Sequence, residues 1–293
     1  MPHISDFCDY LQHQKRYSTH TVTAYKKDLE QFHQFLLYEY ETESFKDVSS
    51  SFIRSWIVKL IEEGISPRTI NRKISSLKSF YKHLLKNRVV DKNPLLKVIT
   101  PKTSKRLPVF IGESELINLF ENINYPNTYE GKRDQLILEL FYATGARLSE
   151  LIELKTNSIN FNNNTIKVLG KRNKERLIPI GNNLTTLIKQ YILEREKLSP
   201  QDNHFFLTKI GKKIYPKLVY SIVNSYLSQV TTVSKKSPHV LRHTFATHML
   251  NNGADLNTIK EILGHANLSA TQVYTHNTIE KLKNIHKQAH PKA

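Results

Sequence analysis

The chain has 293 residues, 39% of them hydrophobic, enough to bury substantial cores and, by its length, to form two domains. It carries 43 Lys and Arg against 26 Asp and Glu, a formal net charge of +17. Such an excess points to a polyanionic partner, because Lys and Arg release counterions when they neutralise phosphates; the plainer reading is solubility. One cysteine, Cys8, excludes an intramolecular disulfide and a cysteine-based zinc site. No apolar run approaches the ~18 residues of a membrane span, and Met1 to Asp6 lacks the basic and apolar segments of a secretion signal. The expected location is therefore the cytoplasm, with no membrane partner.

The first hundred residues read as helices. Ser18 and Thr19 cap a helix running to about Tyr40, with Val22, Tyr25, Leu29, Phe32, Phe35 and Leu36 on one face. Residues 51–63 form a second, carrying Ile53, Trp56, Ile57 and Leu60 at helical spacing and ending at Gly64. Ser66-Pro67 reads as an N-cap followed by proline at the first helical position. The helix after it carries the cations Arg68, Arg72, Lys73, Lys78 and Lys82. A short helix over 7–14 completes a four-helix unit spanning 1–99. Residues 100–109, polar, basic and proline-containing, read as an interdomain linker.

The remainder, 110–293, is mixed. Helices are expected over 113–122, 132–143 and 184–198. Strands are expected over 165–169 and 176–180, joined by a polar hairpin from Gly170 to Glu175, with another short strand at 205–207. From Pro238 onward only helices and turns are expected. The fold class is mainly α with a small antiparallel β-sheet.

Four segments in this second part carry candidate chemistry. In Ala143-Thr144-Gly145-Ala146-Arg147-Leu148-Ser149-Glu150, Gly145 ends one helix and Arg147 opens the next. Arg147 either helps form an anion pocket at a helix N-terminus or is a surface arginine paired with Glu150. The hairpin Gly170-Lys171-Arg172-Asn173-Lys174-Glu175-Arg176 presents four cations, suited to a groove or a phosphate, or is a solvated turn. In Pro238-His239-Val240-Leu241-Arg242-His243-Thr244, His239 and Arg242 share a helix face. His239 and His243 lack the intervening Glu and the third ligand that a zinc site requires, so no metal is expected. The fourth segment joins Leu263-Gly264-His265 to Val273-Tyr274-Thr275-His276. With 14 tyrosines in the chain, nothing local distinguishes Tyr274 from a core residue.

Taken together and in this order, the four segments resemble those of the tyrosine recombinases, and within them the bacterial Xer recombinases. The motifs are Thr144-Gly145-Ala146-Arg147-Leu148-Ser149-Glu150, Gly170-Lys171 with Lys174-Glu175-Arg176, Pro238-His239-Val240-Leu241-Arg242-His243-Thr244-Phe245-Ala246-Thr247-His248, and Leu263-Gly264-His265 with Tyr274-Thr275-His276. The resemblance extends over nearly the whole chain. It implies an N-terminal four-helix core-binding domain and a C-terminal α+β catalytic domain ending in an oligomerisation helix. It further implies that Tyr274 is the nucleophile, that Arg147 and Arg242 grip the scissile phosphate and that Lys171 protonates the departing 5′ oxygen. His239 would assist proton transfer, and His265 would donate a hydrogen bond to the phosphate. Two positions depart from the family pattern: Arg172 stands where many relatives carry Gly, and Ala270 where Thr is frequent.

The implied activity is site-specific recombination of double-stranded DNA through a 3′-phosphotyrosyl intermediate, resolving chromosome dimers at cell division. The implied partners are a DNA recombination site, further copies or a paralogous Xer recombinase in a tetrameric synapse, and a DNA translocase of the division site. No cofactor is expected, because exchanging one phosphoester for another conserves the bond energy. The segment 278–287, with Ile279, Leu282 and Ile285 on one face, either packs into a neighbouring protomer or caps its own domain. The competing functions are a mobile-element integrase, a type IB topoisomerase-like strand transferase, and a DNA-binding protein without catalysis.

Overall fold

The computed structural model describes residues 2–103, 109–170, 175–200, 202–264 and 285–291. The chain divides into two compact units, Met1–Arg106 and Leu107–Ala293. Among the described residues no helix is long and apolar enough to cross a membrane.

The first unit is helical. Helix α1 (Pro2–Asp9) runs into a π-helical turn over Tyr10–Gln14 and is followed by α2 (Thr19–Tyr40), α3 (Ser50–Glu62) and α4 (Pro67–Lys86). The hydroxyls of Ser18 and Ser66 cap α2 and α4, accepting the backbone N–H groups of Thr21 and Thr69. The first helix begins at Pro2, ahead of the expected 7–14. Ile4 and Phe7 are both buried, so the apolar face starts one turn earlier than a reading from Phe7 places it. The core is aromatic: Phe80 meets Phe7 edge-on at 5.4 Å and Phe45 at 4.9 Å, and the buried Tyr81 hydroxyl donates to the Phe45 carbonyl. Not all the cations of α4 face outward. Lys73 is buried and, with Arg72 and the Ser76 hydroxyl, holds Asp28 of α2, pinning the two longest helices of the unit together.

The second unit is built around α6 (Tyr129–Thr144), whose residues 136–144 are all buried. The second half of this helix is apolar except for Glu139 and Thr144 and so belongs inside, and α6 packs against α8 (Asn182–Glu196) and α10 (Pro238–Asn251). The remaining helices are α5 (Glu113–Ile117) with its π-helical continuation Asn118–Asn122, α7 (Leu148–Ile152), α9 (Pro216–Val230) and α11 (Leu256–Leu263). The helix α9 has no counterpart among the expected elements, although Val219, Ile222, Val223 and Leu227 stand at helical spacing and are buried.

The sheet is antiparallel, in the order β1 (Ile159–Asn160), β2 (Thr165–Leu169), β3 (Glu175–Pro179). Ile166 pairs with Ile178 and Val168 with Arg176. The third strand is thus Ile159–Asn160 and not 205–207. Phe205, Phe206 and Leu207 are fully buried but enter only isolated bridges, at the flanking His204 and at Leu207. The Tyr191 and Arg195 side chains take the place of a strand partner, donating to the Phe205 carbonyl. A short run of aromatic residues satisfies burial equally well as an irregular segment once side chains bind its backbone.

Candidate active site

The junction between α6 and α7 is shaped by one glycine. Gly145 closes α6 in the left-handed region at φ 59°, and a Cβ there would lie 2.6 Å from Phe245 and 2.7 Å from Leu263. Only a residue without a side chain lets the end of α6 meet α10 and α11 this closely. The next turn starts α7 with Arg147 as its N-cap, and the Glu150 carboxylate accepts the Arg147 backbone N–H at 2.7 Å.

Three arginines from three different elements converge on the carboxyl end of α11. Arg176 Nε donates to the Ile262 carbonyl at 2.7 Å, Arg242 Nη2 to the Leu263 carbonyl at 2.7 Å, and Arg147 Nη2 to the Gly264 carbonyl at 3.1 Å. A helix leaves its last carbonyls unsatisfied and carries partial negative charge there, so cations gather naturally at this point. Arg242 also donates through Nη1 to the Gly145 carbonyl, tying α10 to the α6–α7 turn.

Glu150 lies at the centre of the cluster. Its side chain is 2% exposed and accepts a two-pronged fork from Arg176, with both bonds at 2.8 Å, together with Arg147 Nη1 at 2.7 Å. Burial pushes the Glu150 carboxyl upward, but the Arg176 hydrogen bonds and charge, joined by Arg147, overcome that and hold it at about 2. Arg242 moves in the opposite sense. Burial, then the neighbouring charge of Arg147, lowers it to about 10, with Glu150 opposing the shift. It remains cationic at neutral pH.

Arg147 pairs with Glu150, one of the two alternatives raised from sequence, and it also stands close enough to Arg242 for their charges to act on each other. Two guanidiniums held this close repel each other, and an anion placed between them relieves the repulsion. Each has five N–H donors, of which the bonds described use two, and the Arg147 side chain is 23% exposed.

Of the six residues singled out from sequence, the structure brings Arg147 and Arg242 together. His239 is exposed on the otherwise buried first turn of α10, one turn ahead of Arg242. Lys171, His265 and Tyr274 lie outside the described residues. So do the Arg172 and Ala270 departures. Lys171 precedes β3 by four residues, and His265 directly follows Gly264.

The hairpin reading needs correction at Arg176. It is not a tip cation but a buried residue of β3, 4% exposed, on the same face as Ile166, Val168 and Ile178. Strand alternation from Ile178 would have placed it inward. The C-terminal stretch returns to the end of α6: His286 Nε2 donates to the Ala143 carbonyl at 2.9 Å and His290 Nε2 to the Tyr142 carbonyl at 3.1 Å. Ile285 packs against the core of the second unit, while Ile279 and Leu282 of the expected terminal helix lie outside the described residues.

Residues 110–281 match the model of the phage integrase family, and residues 4–88 match that of the phage integrase N-terminal SAM-like domain. The chain is 40% identical over 292 residues to tyrosine recombinase XerC of Anoxybacillus flavithermus, with 98% of this chain and 97% of that protein aligned. It is also 40% identical over 296 residues to tyrosine recombinase XerC of Oceanobacillus iheyensis, covering 99% and 96%. Among solved structures, the XerH site-specific recombinase bound to a palindromic difH substrate superposes with a TM-score of 0.72 at 21% identity, over 97% of this chain and 81% of that one. That likeness extends the agreement to the fold. The arginine-lined turn, the match over both units and the near full-length identity together place the chain in the phage integrase family, as a site-specific tyrosine recombinase of the XerC type.

Proposed function

We propose that this recombinase cuts and rejoins double-stranded DNA through a 3′-phosphotyrosyl intermediate on Tyr274, and that its duty is to resolve chromosome dimers at cell division. The observation that carries the reading is the convergence of Arg147 and Arg242 on the end of α11, one residue before His265. The XerC name of the relatives supports the cellular role, and the XerH complex with difH supports a DNA recombination site as the partner.

The chemistry follows from charge. When the Tyr274 oxygen attacks phosphorus, negative charge grows on the non-bridging oxygens. Arg147 and Arg242 offset it, a task divalent ions perform in metal-dependent nucleases. A phenol ordinarily titrates near 10, so its proton must pass to an acceptor, and His239, exposed one turn ahead of Arg242, would assist that transfer. The 5′ oxygen leaves as the P–O bond breaks and takes a proton from Lys171. His265 donates a hydrogen bond to the phosphate. The phosphotyrosyl ester keeps the energy of the bond it replaced, so a 5′ hydroxyl from the same or another duplex reverses the step without ATP. Exchange between duplexes calls for copies of the chain, or a paralogous Xer recombinase, in a tetrameric synapse in the cytoplasm, with a DNA translocase of the division site as a further partner.

A nicked suicide duplex carrying the host's recombination site tests the reading. Wild type traps a denaturation-resistant protein–DNA adduct, Tyr274→Phe traps none, and EDTA leaves the yield unchanged. An adduct that persists in Tyr274→Phe overturns the nucleophile assignment.

A further inference from the structure

Arg176 is the one arginine of the cluster that is buried almost completely, and no part in the reaction has been assigned to it so far. Among the described residues its side-chain hydrogen bonds go to two partners: the Glu150 carboxylate, through both Nη groups, and the Ile262 carbonyl, through Nε. A carboxylate has about four lone-pair directions. At Glu150 all four are taken: two by the fork of Arg176, one by the Arg147 backbone N–H and one by Arg147 Nη1. With Arg176 in place, Glu150 can claim only one side-chain nitrogen of Arg147, whose other Nη reaches the Gly264 carbonyl.

We propose that Arg176 is a positioning residue for the recombination reaction: by occupying Glu150 from the buried side, it prevents that carboxylate from capturing Arg147 and keeps the Arg147 charge available to the phosphate. The proposal rests on the reading that Arg147 and Arg242 grip the scissile phosphate. Charge counting gives the same result. Arg147, Arg176 and Arg242 with Glu150 sum to two positive charges, which matches the two negative charges that a phosphodiester approaches in its five-coordinate state. Without Arg176 the sum falls to one. The buried Glu150, left with two open lone-pair directions, draws in the second Nη of Arg147 and turns it from the cleft. Neutralising Glu150 at the same time removes the competitor, so the loss of Arg176 then ceases to matter.

That coupling separates the proposal from a plain structural role. A buried fork that only stiffens β3 and α11 makes the loss of Arg176 equally costly whatever occupies position 150. The experiment measures single-turnover cleavage of the nicked suicide duplex at saturating protein, alongside DNA affinity and thermal unfolding. The variants are Arg176→Gln, Arg176→Lys, Glu150→Gln, and Glu150→Gln combined with Arg176→Gln. The expected results are a roughly 100-fold slower cleavage in Arg176→Gln, the size typical of losing one preorganised donor, with affinity for the duplex nearly unchanged. Arg176→Lys, which keeps the charge, recovers most of that loss. The double variant cleaves at about the rate of Glu150→Gln alone. Equal costs of Arg176→Gln in the wild-type and Glu150→Gln backgrounds overturn the proposal. If Arg176→Gln does not fold, comparing Glu150→Gln with the double variant decides it, since a slower double variant has the same meaning. Arg147→Ala serves as the separate control. If it cleaves like wild type, the phosphate-gripping reading fails; if it is inactive and the coupling is absent, only the role of Arg176 fails.

Discussion

Glu150 shows how much one carboxyl can contribute when two arginines from two elements meet on it. In the folded chain it is held at about 2, against an ordinary value of 4.5. Because the folded value is the lower one, the stabilisation is present above pH 4.5 and is lost as pH falls through about 2, below which both folded and unfolded chains bind the proton. The difference corresponds to on the order of 3 kcal/mol. Wild type should therefore unfold in less urea as pH drops from about 5 toward 3, while Glu150→Gln shows a shallower dependence over the same interval. Parallel acid profiles for the two proteins would remove Glu150 from the set of groups that drive acid unfolding. From sequence, Glu150 is visible only as the nearest partner for Arg147. Its second and stronger partner, Arg176, is 26 positions away and reads as part of a solvated hairpin. Alternation from Ile178 indicates that Arg176 turns inward, but which carboxylate it meets there depends on how β3 packs against α7.

At the scale of elements, the site is a junction of helix ends. The carboxyl ends of α6 and α11 and the start of α7 meet, with α10 bracing them through Arg242 and Phe245. Gly145 is the tightest point. Gly145→Ala forces a left-handed alanine and drives a methyl into Phe245 and Leu263. Strain and overpacking together should cost about 2–4 kcal/mol, read as a lowered Tm of the isolated protein. Cleavage should fall further than stability alone explains, since the Gly145 carbonyl anchors Arg242. An unchanged Tm would mean that the junction has more room than the contacts at Gly145 allow. The helices with clear punctuation were legible in the sequence: Ser18 and Ser66 are N-caps where expected, and Gly145 closes α6. The helix α9 and the strand Ile159–Asn160 were not. A two-residue strand has no periodicity to detect, and Pro216, which opens α9 at its first turn, resembles a loop residue when read alone.

Over the whole molecule, the two units keep separate cores, and the chain carries a net charge of +17. If six or more phosphates are neutralised on binding, affinity for duplex DNA should fall roughly a thousandfold or more between about 50 and 200 mM salt. Fluorescence anisotropy of a labelled recombination site measures this. A fall of less than about tenfold would mean that the charge serves solubility and not phosphate contacts. The sequence by itself determined the division into a helical unit and a mixed one, the arginine pair, the family and, through it, the chemistry. These are carried by local spacing and by side-chain type, which survive without coordinates. Only the tertiary structure decided that Glu150 is shared between two arginines and that all three guanidiniums end on the last carbonyls of α11. Those choices depend on contacts between residues up to 117 positions apart, and only packing determines which polar groups are sealed from water and so must find one another.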